Sequence, residues 1–536
     1  MCKNCETENK RIELHFHSSY SNIRLLDAIT DIEESILKAV ELNIHGLAIT
    51  EHEFVGSHVK AIQTVRKLKE KEKIPQDFKL ILGNEIYLVD SLEEVRDNYQ
   101  PGKTKFPHYL LLSKSKDGHE ALRALSSKAW EQSFYTGTME RVPTTKDALS
   151  EVVKAYPNTL IATTACLGSE SSIYILEADR ARLENNKEKE QYNINKLHEF
   201  IEWNIELHGK DNFYLELQPS PDYEQATVNK MLITLSKKYG LKLVITNDVH
   251  YLQKEDMEIH SAYLNSKVDE RETASFYSHT YLHTVNEIYE KMSYIDKEII
   301  REAIHNTMLI GSMIEDYTIE GETIIPKTKL PEFEVKHLFK AGYSKYPYIG
   351  LMANSEDAQD RYLVHLIEEG FKEKIPYRTM NKEEFNNVVA RINVELEELW
   401  EMSKIINQSM SSYYVTVAKI IEIIFGDDCG DASREEGSIV GAGRGSAVAF
   451  FINYLLGIVE VNPLAYGIEV PHWRHLHKSK PDISALDIDI DVSSTKKKYI
   501  FDRMRDYFGK RNIIQVSTFG TEKSKSAIQT ACRGLK

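Results

Sequence analysis

Two histidines stand one residue apart near the start of the sequence, in the stretch IELHFHSSYS. In a strand, residues i and i+2 point to the same face, so His15 and His17 would lie side by side while Leu14 and Phe16 point the other way. Two imidazoles in that arrangement can bind one metal ion. An edge strand with two polar residues facing water explains the pair equally well, so the rest of the sequence must decide.

More side chains that can bind metals follow at the ends of later predicted strands. Asp248 and His250 form a second i, i+2 pair in TNDVHY. Imidazole, carboxylate and thiolate groups together suit zinc or another borderline divalent metal. Two separate pairs of this kind are hard to attribute to chance, so the first part of the chain is predicted to hold a metal centre. The other candidates are His52 in ITEHE, Glu85 in GNEIY, His108 in HYLLL and Cys166 in TTACLG.

A different acidic pattern, LDIDIDV, stands near the other end of the sequence. If it is a strand, Asp487, Asp489 and Asp491 share one face and the isoleucines between them face a core. Several carboxylates packed together repel one another unless cations neutralise them, and two Mg²⁺ ions would do so. The preceding GAGRGS, residues 441 to 446, could form a backbone nest for phosphate oxygens, although by itself a glycine-rich turn is the simpler interpretation.

The elements that must position these residues fall into two regions. Up to about residue 290, short β-branched or aromatic runs alternate with helical stretches, which indicates an α/β domain with a largely parallel sheet or barrel. Such folds carry their sites at strand ends, where the candidate metal ligands stand. From about residue 295 to 425 the apolar spacing of three and four predicts helices.

Composition limits the class of protein. The chain has 536 residues, 42% of them hydrophobic and 28% charged, which is typical of a globular protein of several domains. We find no apolar run long enough for a membrane span and no secretory signal, and five scattered cysteines suit a reducing compartment, so we expect a cytoplasmic protein without a membrane partner. The net charge of −15 argues against polyanion binding by the whole surface and leaves a local basic groove open.

The motifs LHFHSSYS, LAITEH, GNEIY, HYLLLSK, ACLGSE and TNDVHYL resemble the polymerase and histidinol phosphatase (PHP) domain of bacterial replicative DNA polymerases. The resemblance implies a distorted (βα)7 barrel that holds up to three metals, Zn²⁺ or Mn²⁺, and an intact ligand set favours a working 3′–5′ exonuclease. Two departures are Glu51, where the family usually has Asp, and a few extra residues before Asp27. The nine ligand positions fall on His15, His17, Asp27, His52, Glu85, His108, Cys166, Asp248 and His250.

The order GxGRGS, LLGIVEVNPLAYGI, DIDID and QVSTFGTEKSKSAI resembles the palm of the C-family polymerases, the bacterial DNA polymerase III α subunits. The resemblance implies a polymerase-beta-like nucleotidyltransferase palm that uses Mg²⁺. Asp489 and Asp491 would be the catalytic metal-binding pair, with Asp487 beside them. The nucleotide-binding positions implied by the resemblance are Gly443, Arg444, Gly445, Ser446, Lys525 and Arg533.

The resemblance also predicts the domain order. We expect a PHP domain over residues 1–290 and a partial palm with helical insertions over 291–536, ending near the start of the thumb. The third palm aspartate belongs to a later segment of the family. The expected function is therefore the N-terminal part of a replicative DNA polymerase α subunit, split or truncated. Its expected partners are primer-template DNA, deoxynucleoside triphosphates, other replisome components and a second polypeptide carrying the thumb, fingers and C-terminal domains.

Two other functions compete with this interpretation. One is a stand-alone PHP phosphoesterase with a degenerate palm, and the retained DIDID and GRGS motifs disfavour it. The other is a scaffold without catalysis that binds DNA or polymerase partners, and the intact nine-residue set disfavours it. The stretch VPHWRHLHKSKPDISA replaces the family's FERFLNPER region, and we interpret its histidines as a polar surface loop rather than another metal site.

Overall fold

The computed structural model describes residues 10–23, 25–137, 139–266, 277–426, 437–465, 470–480, 486–516 and 518–535. The chain divides into two compact units. The first comprises Met1–Glu320 together with Phe519–Lys536, and the second comprises Gly321–Thr518.

The first unit is built on a curled sheet of eight strands. Seven of them follow in the order β1-β2-β3-β4-β8-β9-β10, and β7 pairs with β3. Pairing is parallel except that β4 runs antiparallel to both β3 and β8. A parallel bridge between Phe16 and Val249, just beyond β1 and β10, joins the two ends of the sheet. The strands are β1 (Arg11–Glu13), β2 (Ile44–Ile49), β3 (Lys79–Val89), β4 (His108–Ser113), β5 (Phe134–Thr136), β6 (Met139–Arg141), β7 (Pro143–Thr145), β8 (Leu160–Thr163), β9 (Phe213–Leu217) and β10 (Leu243–Ile245), with β5 and β6 forming a separate antiparallel pair.

Ten helices surround this sheet, and an eleventh comes from the end of the chain. The alternation of strands and helices confirms the expected α/β fold with a distorted barrel of seven strands. The helices are α1 (Ile32–Glu41), α2 (His58–Glu70), α3 (Lys116–Glu131), α4 (Lys146–Ala155), α5 (Glu170–Leu183), α6 (Lys187–His208), α7 (Tyr223–Tyr239), α8 (Met257–Asn265), α9 (Val285–Lys291), α10 (Lys297–Met313) and, far along the chain, α17 (Ser524–Leu535), which packs against α8.

One apolar cluster explains why the strands curl around a common interior. It takes at least one side chain from each of the seven strands on the path and includes Ile310 and Ile314 at the end of α10. Gly311 lets α10 approach β1 closely, because a Cβ there would stand 2.2 Å from Ile12 Cδ1. The first unit therefore continues past residue 290, where the sequence analysis ended the PHP domain.

The second unit is helical in its described residues and has its own core. The motif LDIDIDV is not a regular strand: of its described residues only Val492 has a bridge partner, Val440, because no neighbouring strand offers residues 486–491 a ladder. No helix in the described ranges of the whole chain is long and apolar enough to cross a membrane. The helices of this unit are α11 (Pro347–Ala353), α12 (Ala358–Lys374), α13 (Lys382–Ile406), α14 (Met410–Phe425), α15 (Phe451–Leu455) and α16 (Lys497–Phe508).

Candidate functional site

The interior face of the curled sheet changes from apolar to polar along the strands. Side chains an even number of positions apart in a strand share a face. Glu85 therefore continues the face of Ile81 in β3, and Glu216 continues the face of Tyr214 in β9, both core residues of the interior cluster. The apolar end holds the sheet together, and the polar end collects the candidate metal ligands.

The structure brings all nine predicted ligand positions into one cluster at this polar end. Eight of them are at most 2% exposed, and the His108 side chain is 18% exposed. Left-handed backbone at Asp248 (φ 48°) and at Ala165 (φ 54°), the residue before Cys166, turns the chain sharply where these ligands leave their strands. The assignment of the nine as metal ligands stays a prediction, and their convergence is a property of the fold.

Glu85 lies at the centre of the cluster. Its Oε2 atom is 2.7 Å from His52 Nδ1, and its Oε1 atom is 3.0 Å from His108 Nδ1. Oε1 is also 3.2 Å from His15 Nε2, and Oε2 is 3.6 Å from His17 Nε2. Burial raises the pKa of Glu85, but the surrounding imidazoles outweigh burial and hold the pKa well below its usual value. The carboxylate is thus kept ionised and ready to bind a cation.

Two aspartates complete the ring of carboxylates. Asp248 Oδ1 lies 3.3 Å from both His15 Nε2 and His17 Nε2. Asp27 Oδ2 lies 3.0 Å from His52 Nε2 and 3.7 Å from His250 Nε2. Asp27 therefore reaches the cluster despite the extra residues that precede it. Burial raises the pKa of Asp27, but His52 and His250 outweigh burial and hold it well below its usual value.

Several ligand atoms in the cluster have no hydrogen-bond partner. Each of these atoms is buried, and no neighbouring donor or acceptor meets it with the geometry of a hydrogen bond. Buried polar atoms of this kind are costly unless something compensates them. Divalent cations would compensate these atoms. Three overlapping triads of residues could hold such cations, because the three ligand atoms of each triad lie within 4.8 Å of one another. The triads are His17, His52 and His250; His15, His17 and Glu85; and His52, Glu85 and His108.

Cys166 stands at the edge of the cluster. Its Sγ atom is 3.4 Å from His108 Nδ1, and it accepts a hydrogen bond of 3.4 Å from the Gly168 amide. Burial raises the pKa of the Cys166 thiol well above its usual value. A coordinated metal would deprotonate such a thiol, so Cys166 fits a metal-loaded site better than a metal-free one.

Glu216 is a residue that the sequence analysis missed. Its Oε1 atom accepts a 2.8 Å hydrogen bond from His15 Nδ1, so His15 carries its proton there and turns Nε2 toward the cluster. The hydroxyls of Thr163 and Thr246 donate to the same carboxylate at 2.5 and 2.6 Å. A carboxylate inside the otherwise apolar strand NFYLELQ was the sequence signal.

Glu51, noted in the sequence as a departure from the family, lies behind the cluster. It accepts hydrogen bonds from the hydroxyls of Ser18 and Ser21, and Ser21 Oγ lies 3.2 Å from His17 Nδ1. Glu51 is thus linked to a candidate ligand through Ser21. The longer acid does not enter the cluster itself.

The second unit brings two of the palm aspartates to the glycine-rich loop. Arg444 Nη1 lies 2.9 Å from Asp489 Oδ2, and Arg444 Nε lies 3.3 Å from Asp491 Oδ1. Gly445 has a left-handed backbone (φ 69°), and a Cβ there would lie 3.4 Å from Asp489 Oδ2. Gly443 is also left-handed (φ 106°). Asp487 is exposed and has no ion-pair partner among the described residues.

Ser446 is held by a histidine that was expected in a surface loop. His475 is only 8% exposed, and its Nδ1 atom lies 3.1 Å from Ser446 Oγ. Asn453 Nδ2 donates to Ala447 O and also approaches His475 Nε2 at 3.4 Å, so Nε2 must be the acceptor and Nδ1 the donor to Ser446. The Ser446 hydroxyl hydrogen is therefore left for another acceptor. The surface-loop interpretation was wrong for His475, because its ring packs beside Phe450.

Two of the predicted nucleotide contacts stand on a helix near the end of the sequence. Lys525 and Arg533 lie on α17, which belongs to the first unit, whereas the aspartates belong to the second. Arg533 donates to Thr530 on its own helix. The contact of Lys525 and Arg533 with phosphates stays a prediction.

Two family models match the chain. Residues 13–220 match the PHP domain, and residues 361–536 match the model described as the bacterial DNA polymerase III alpha NTPase domain. These matches confirm the expected resemblance: the first part of the chain is similar to the PHP domain, and a later part is similar to the bacterial DNA polymerase III alpha type.

Several curated proteins are similar to nearly the whole chain. A probable DNA polymerase YorL of Bacillus subtilis strain 168 is 53% identical over 524 residues, which cover 98% of this chain and 40% of the relative. A DNA-directed DNA polymerase of Bacillus phage SPbeta shows the same values. The DNA polymerase III subunit alpha of Borreliella burgdorferi is 27% identical over 98% of this chain and 39% of its own length. The chain thus spans about two fifths of the length of the curated relatives it matches.

Proposed function

We propose that the first unit is a metal-dependent phosphodiesterase that removes nucleotides from the 3′ end of DNA. The observation that carries this proposal is the set of buried imidazole and carboxylate atoms that converge without hydrogen-bond partners. A set of closely spaced ligands for several cations suits hydrolysis of a phosphodiester. Hydrolysis of the last phosphodiester would break its bond to the neighbouring 3′ oxygen and release a nucleoside 5′-monophosphate.

The chain's own residues hold and orient this site. Bound Zn²⁺ or Mn²⁺ would supply Lewis acidity and a hydroxide at neutral pH. Glu85 belongs to two of the three triads and so links neighbouring ion positions. Glu216 fixes the tautomer of His15. His108, the most exposed member, marks the side from which a phosphate group can approach.

Metal analysis tests the binding part of this proposal. The purified chain should bind about two or three divalent ions, in line with the multi-ion sites of phosphodiesterases. The double variant His15→Ala with Asp248→Ala should bind fewer, whereas His305→Ala, an exposed position on α10, should bind as many as the wild type. Equal stoichiometry in the wild type and the double variant would refute the metal centre.

An exonuclease assay tests the reaction. With Mn²⁺ or Zn²⁺, the chain should shorten single-stranded or mismatched DNA from its 3′ end, and His52→Ala should abolish this activity. The circular dichroism of the His52 variant should match the wild type. Activity that survives in His52→Ala would belong to another site or to a contaminant.

We infer further that the second unit supplies part of the nucleotidyl-transfer site of a replicative DNA polymerase. Arg444 lies within ion-pair distance of both Asp489 and Asp491, and Mg²⁺ at the aspartates would align a primer hydroxyl with a triphosphate. The chain spans about two fifths of the length of the polymerases it matches. Synthesis would therefore depend on further parts, which we propose to be carried by a second polypeptide, and on primer-template DNA, deoxynucleoside triphosphates and other replisome components.

Primer extension tests the second unit. The chain alone should not extend a primer, because loss of positioning alone can cost several kcal/mol of barrier. Adding a polypeptide with the missing parts should restore extension, and Asp489→Ala or Asp491→Ala should remove it again. Extension that is insensitive to both aspartates would favour a phosphoesterase with a degenerate palm, and absence of both activities would favour a scaffold.

A further inference from the structure

A polar cavity of about 380 Å³ adjoins the metal-ligand cluster in the first unit. Asn247 and Asp248 form one wall, the loop and first turn of α7 over residues 218–225 form the second, and Thr280 and its neighbour His279 form the third. This volume lies within the roughly 300–1,000 Å³ of small-molecule sites in proteins. Because Asp248 belongs to both the cavity and the cluster, a ligand bound at the cluster can extend into the cavity.

The buried wall of the cavity offers one unsatisfied hydrogen-bond donor. Asn247 is 2% exposed, and its Oδ1 atom accepts hydrogen bonds from Arg11 Nη2 at 2.8 Å and from the His283 amide at 3.0 Å. Two donors on the same atom fix the orientation of the amide. Asn247 Nδ2 has no partner among the described residues and is therefore left as a donor for a ligand.

The opposite wall offers a buried acceptor. Gln225 is 4% exposed, and its Nε2 atom donates to Asn229 Oδ1 at 3.0 Å. Asn229 is itself fixed, because its Nδ2 atom donates to the Gln218 carbonyl at 2.9 Å. The Oε1 atom of Gln225 thus stays available as an acceptor.

An aromatic ring stands at the mouth of the cavity. Tyr223 is 62% exposed, and its hydroxyl donates to Asp179 Oδ2 at 2.8 Å, which restrains the ring. Exposed aromatic rings stack on nucleobases whatever the sequence. A donor, an acceptor and a stacking surface around one small cavity match the edge and face of a nucleobase.

The charges around the cavity exclude a phosphate group from it. The exposed carboxylates of Asp222 and Glu224 line it, together with Asp248. His279 also faces the cavity, but it is paired with Asp222 at 3.6 Å and lies 2.9 Å from Lys291 Nζ. A phosphate would meet the acidic groups, whereas a neutral base with exocyclic amines would not be repelled.

We propose that this cavity binds the base of the terminal nucleotide whose phosphodiester is cleaved at the cluster. The inference rests on the proposed exonuclease function and adds the recognition of the released nucleoside 5′-monophosphate. Asn247 and Gln225 contact the edge of the base, Tyr223 stacks on its face, and the phosphate stays at the cluster.

Binding of the product tests the cavity directly. In equilibrium dialysis with the full chain loaded with Mn²⁺, dAMP should bind about tenfold more tightly than 2-deoxyribose 5-phosphate, which lacks the base. Tyr223→Ala and Gln225→Leu should each remove most of this difference and leave binding of the sugar phosphate unchanged. The control Tyr192→Ala, an equally exposed tyrosine on α6, should retain the full difference. Equal affinity of the wild-type chain for the two compounds would overturn the proposal.

A second measurement separates failure of the cavity from failure of the proposed function. Bis(p-nitrophenyl) phosphate is a small phosphodiester without a base, and its hydrolysis needs only the cluster. We expect the control Tyr192→Ala to hydrolyse it as fast as the wild type. If the wild type hydrolyses it but shows no preference for dAMP over the sugar phosphate, the cavity assignment is wrong and the hydrolase stands. If hydrolysis is absent while the preference for dAMP remains, the cavity stands and the hydrolase is wrong.

Discussion

The two candidate sites of this chain place their charged groups in opposite environments. In the first unit, eight of the nine ligand positions are at most 2% exposed, and all of these except Asp27 lie in or shortly after a strand of the curled sheet. In the second unit, the side chains of Arg444 and Asp491 are 58% and 60% exposed, and that of Asp489 is 33% exposed. One site is part of a core, and the other is open to water.

This difference shows which site the chain can complete by itself. Buried charges are stable only when they are compensated, and the fold of the first unit surrounds its buried carboxylates with imidazoles. Exposed carboxylates are stable in water with or without a partner, and Arg444 offsets part of the charge of Asp489 and Asp491. The first site is therefore organised by the packing of its own unit, whereas the carboxylates of the second stay open to water.

Metal removal should separate the two units most strongly. A ligand present at 1,000 times its dissociation constant stabilises the folded state by about 4 kcal/mol. We expect the free energy of opening measured by hydrogen exchange at β3 and β10 to rise by about this amount when Mn²⁺ is added. At α13 it should not change. The reason is that the proposed cation sites with buried carboxylates belong to the first unit.

Two variants break this comparison in opposite directions. His17→Ala should remove the effect of Mn²⁺ on the first unit, because His17 belongs to two of the triads. Asp489→Ala should leave the effect of Mn²⁺ on the first unit unchanged. A metal effect of the same size at α13 as at β3 would show that the second unit also depends on its ions.

Acid should destabilise the second unit through His475. Burial lowers the pKa of His475 from 6.5 to about 4, so the folded state resists its protonation. A lowered histidine pKa contributes stability that is present above pH 6.5 and is lost as the pH falls toward 4. One pKa unit corresponds to 1.36 kcal/mol, which gives a loss of roughly 3 kcal/mol by pH 4.

The matched experiment compares His475→Phe with the wild type. At neutral pH the variant should lose about 1 kcal/mol, because the hydrogen bond to Ser446 is gone. It should then lose less stability than the wild type between pH 6.5 and 4, as measured by urea unfolding followed through hydrogen exchange at α15. His477→Phe, whose ring is 37% exposed, is the control. Parallel pH profiles for wild type and His475→Phe would mean that His475 is protonated as easily when folded as when unfolded.

Much of the first unit could be predicted from the sequence, because its pattern is local. Strand segments such as LILGNEIYLV and HYLLLS are continuous apolar runs, and each has a ligand type at a position set by the alternation of faces. The i, i+2 pairs at His15 and at Asp248 are read directly from that alternation. The local pattern does not identify Glu216. The role of a single acid in an apolar strand becomes visible only when the structure places it 2.8 Å from His15.

The second unit was harder to predict for a physical reason. LDIDIDV has perfect alternation, but a strand exists only when a neighbour supplies its ladder, and the described residues offer a single bridge at Val492. The burial of His475 depends on Phe450 and Tyr414. These rings come from other segments of the chain, so the polar stretch HWRHLH gives no local sign that His475 is buried.

Glu216→Gln sharpens the comparison within the first unit. The change keeps the size of the side chain but weakens its hold on His15 Nδ1, so His15 Nε2 is no longer fixed toward the cluster. Partners of metal-binding histidines typically contribute about 10–100-fold to metal affinity. We expect a fall of this size in a competition titration with a chelator. Glu206→Gln, at an exposed position on α6, should bind metal as the wild type does, and an unchanged affinity in Glu216→Gln would remove Glu216 from the site.

The smallest expected effect concerns Arg444, which competes with cations for the aspartates of the second unit. Exposed ion pairs contribute about 0.2–1 kcal/mol, so Arg444→Ala should raise the affinity of Asp489 and Asp491 for Mn²⁺ by up to about fivefold. The titration should use the His17→Ala background, in which the first unit no longer takes the ions, and should follow Mn²⁺ by electron paramagnetic resonance. Arg444→Lys retains the charge, so its Mn²⁺ affinity should lie between that of Arg444→Ala and that of the chain with Arg444 intact. A lower Mn²⁺ affinity in Arg444→Ala would mean that the arginine organises the carboxylates for ions instead of competing with them, and the open site would then resemble the buried one more closely than its exposure suggests.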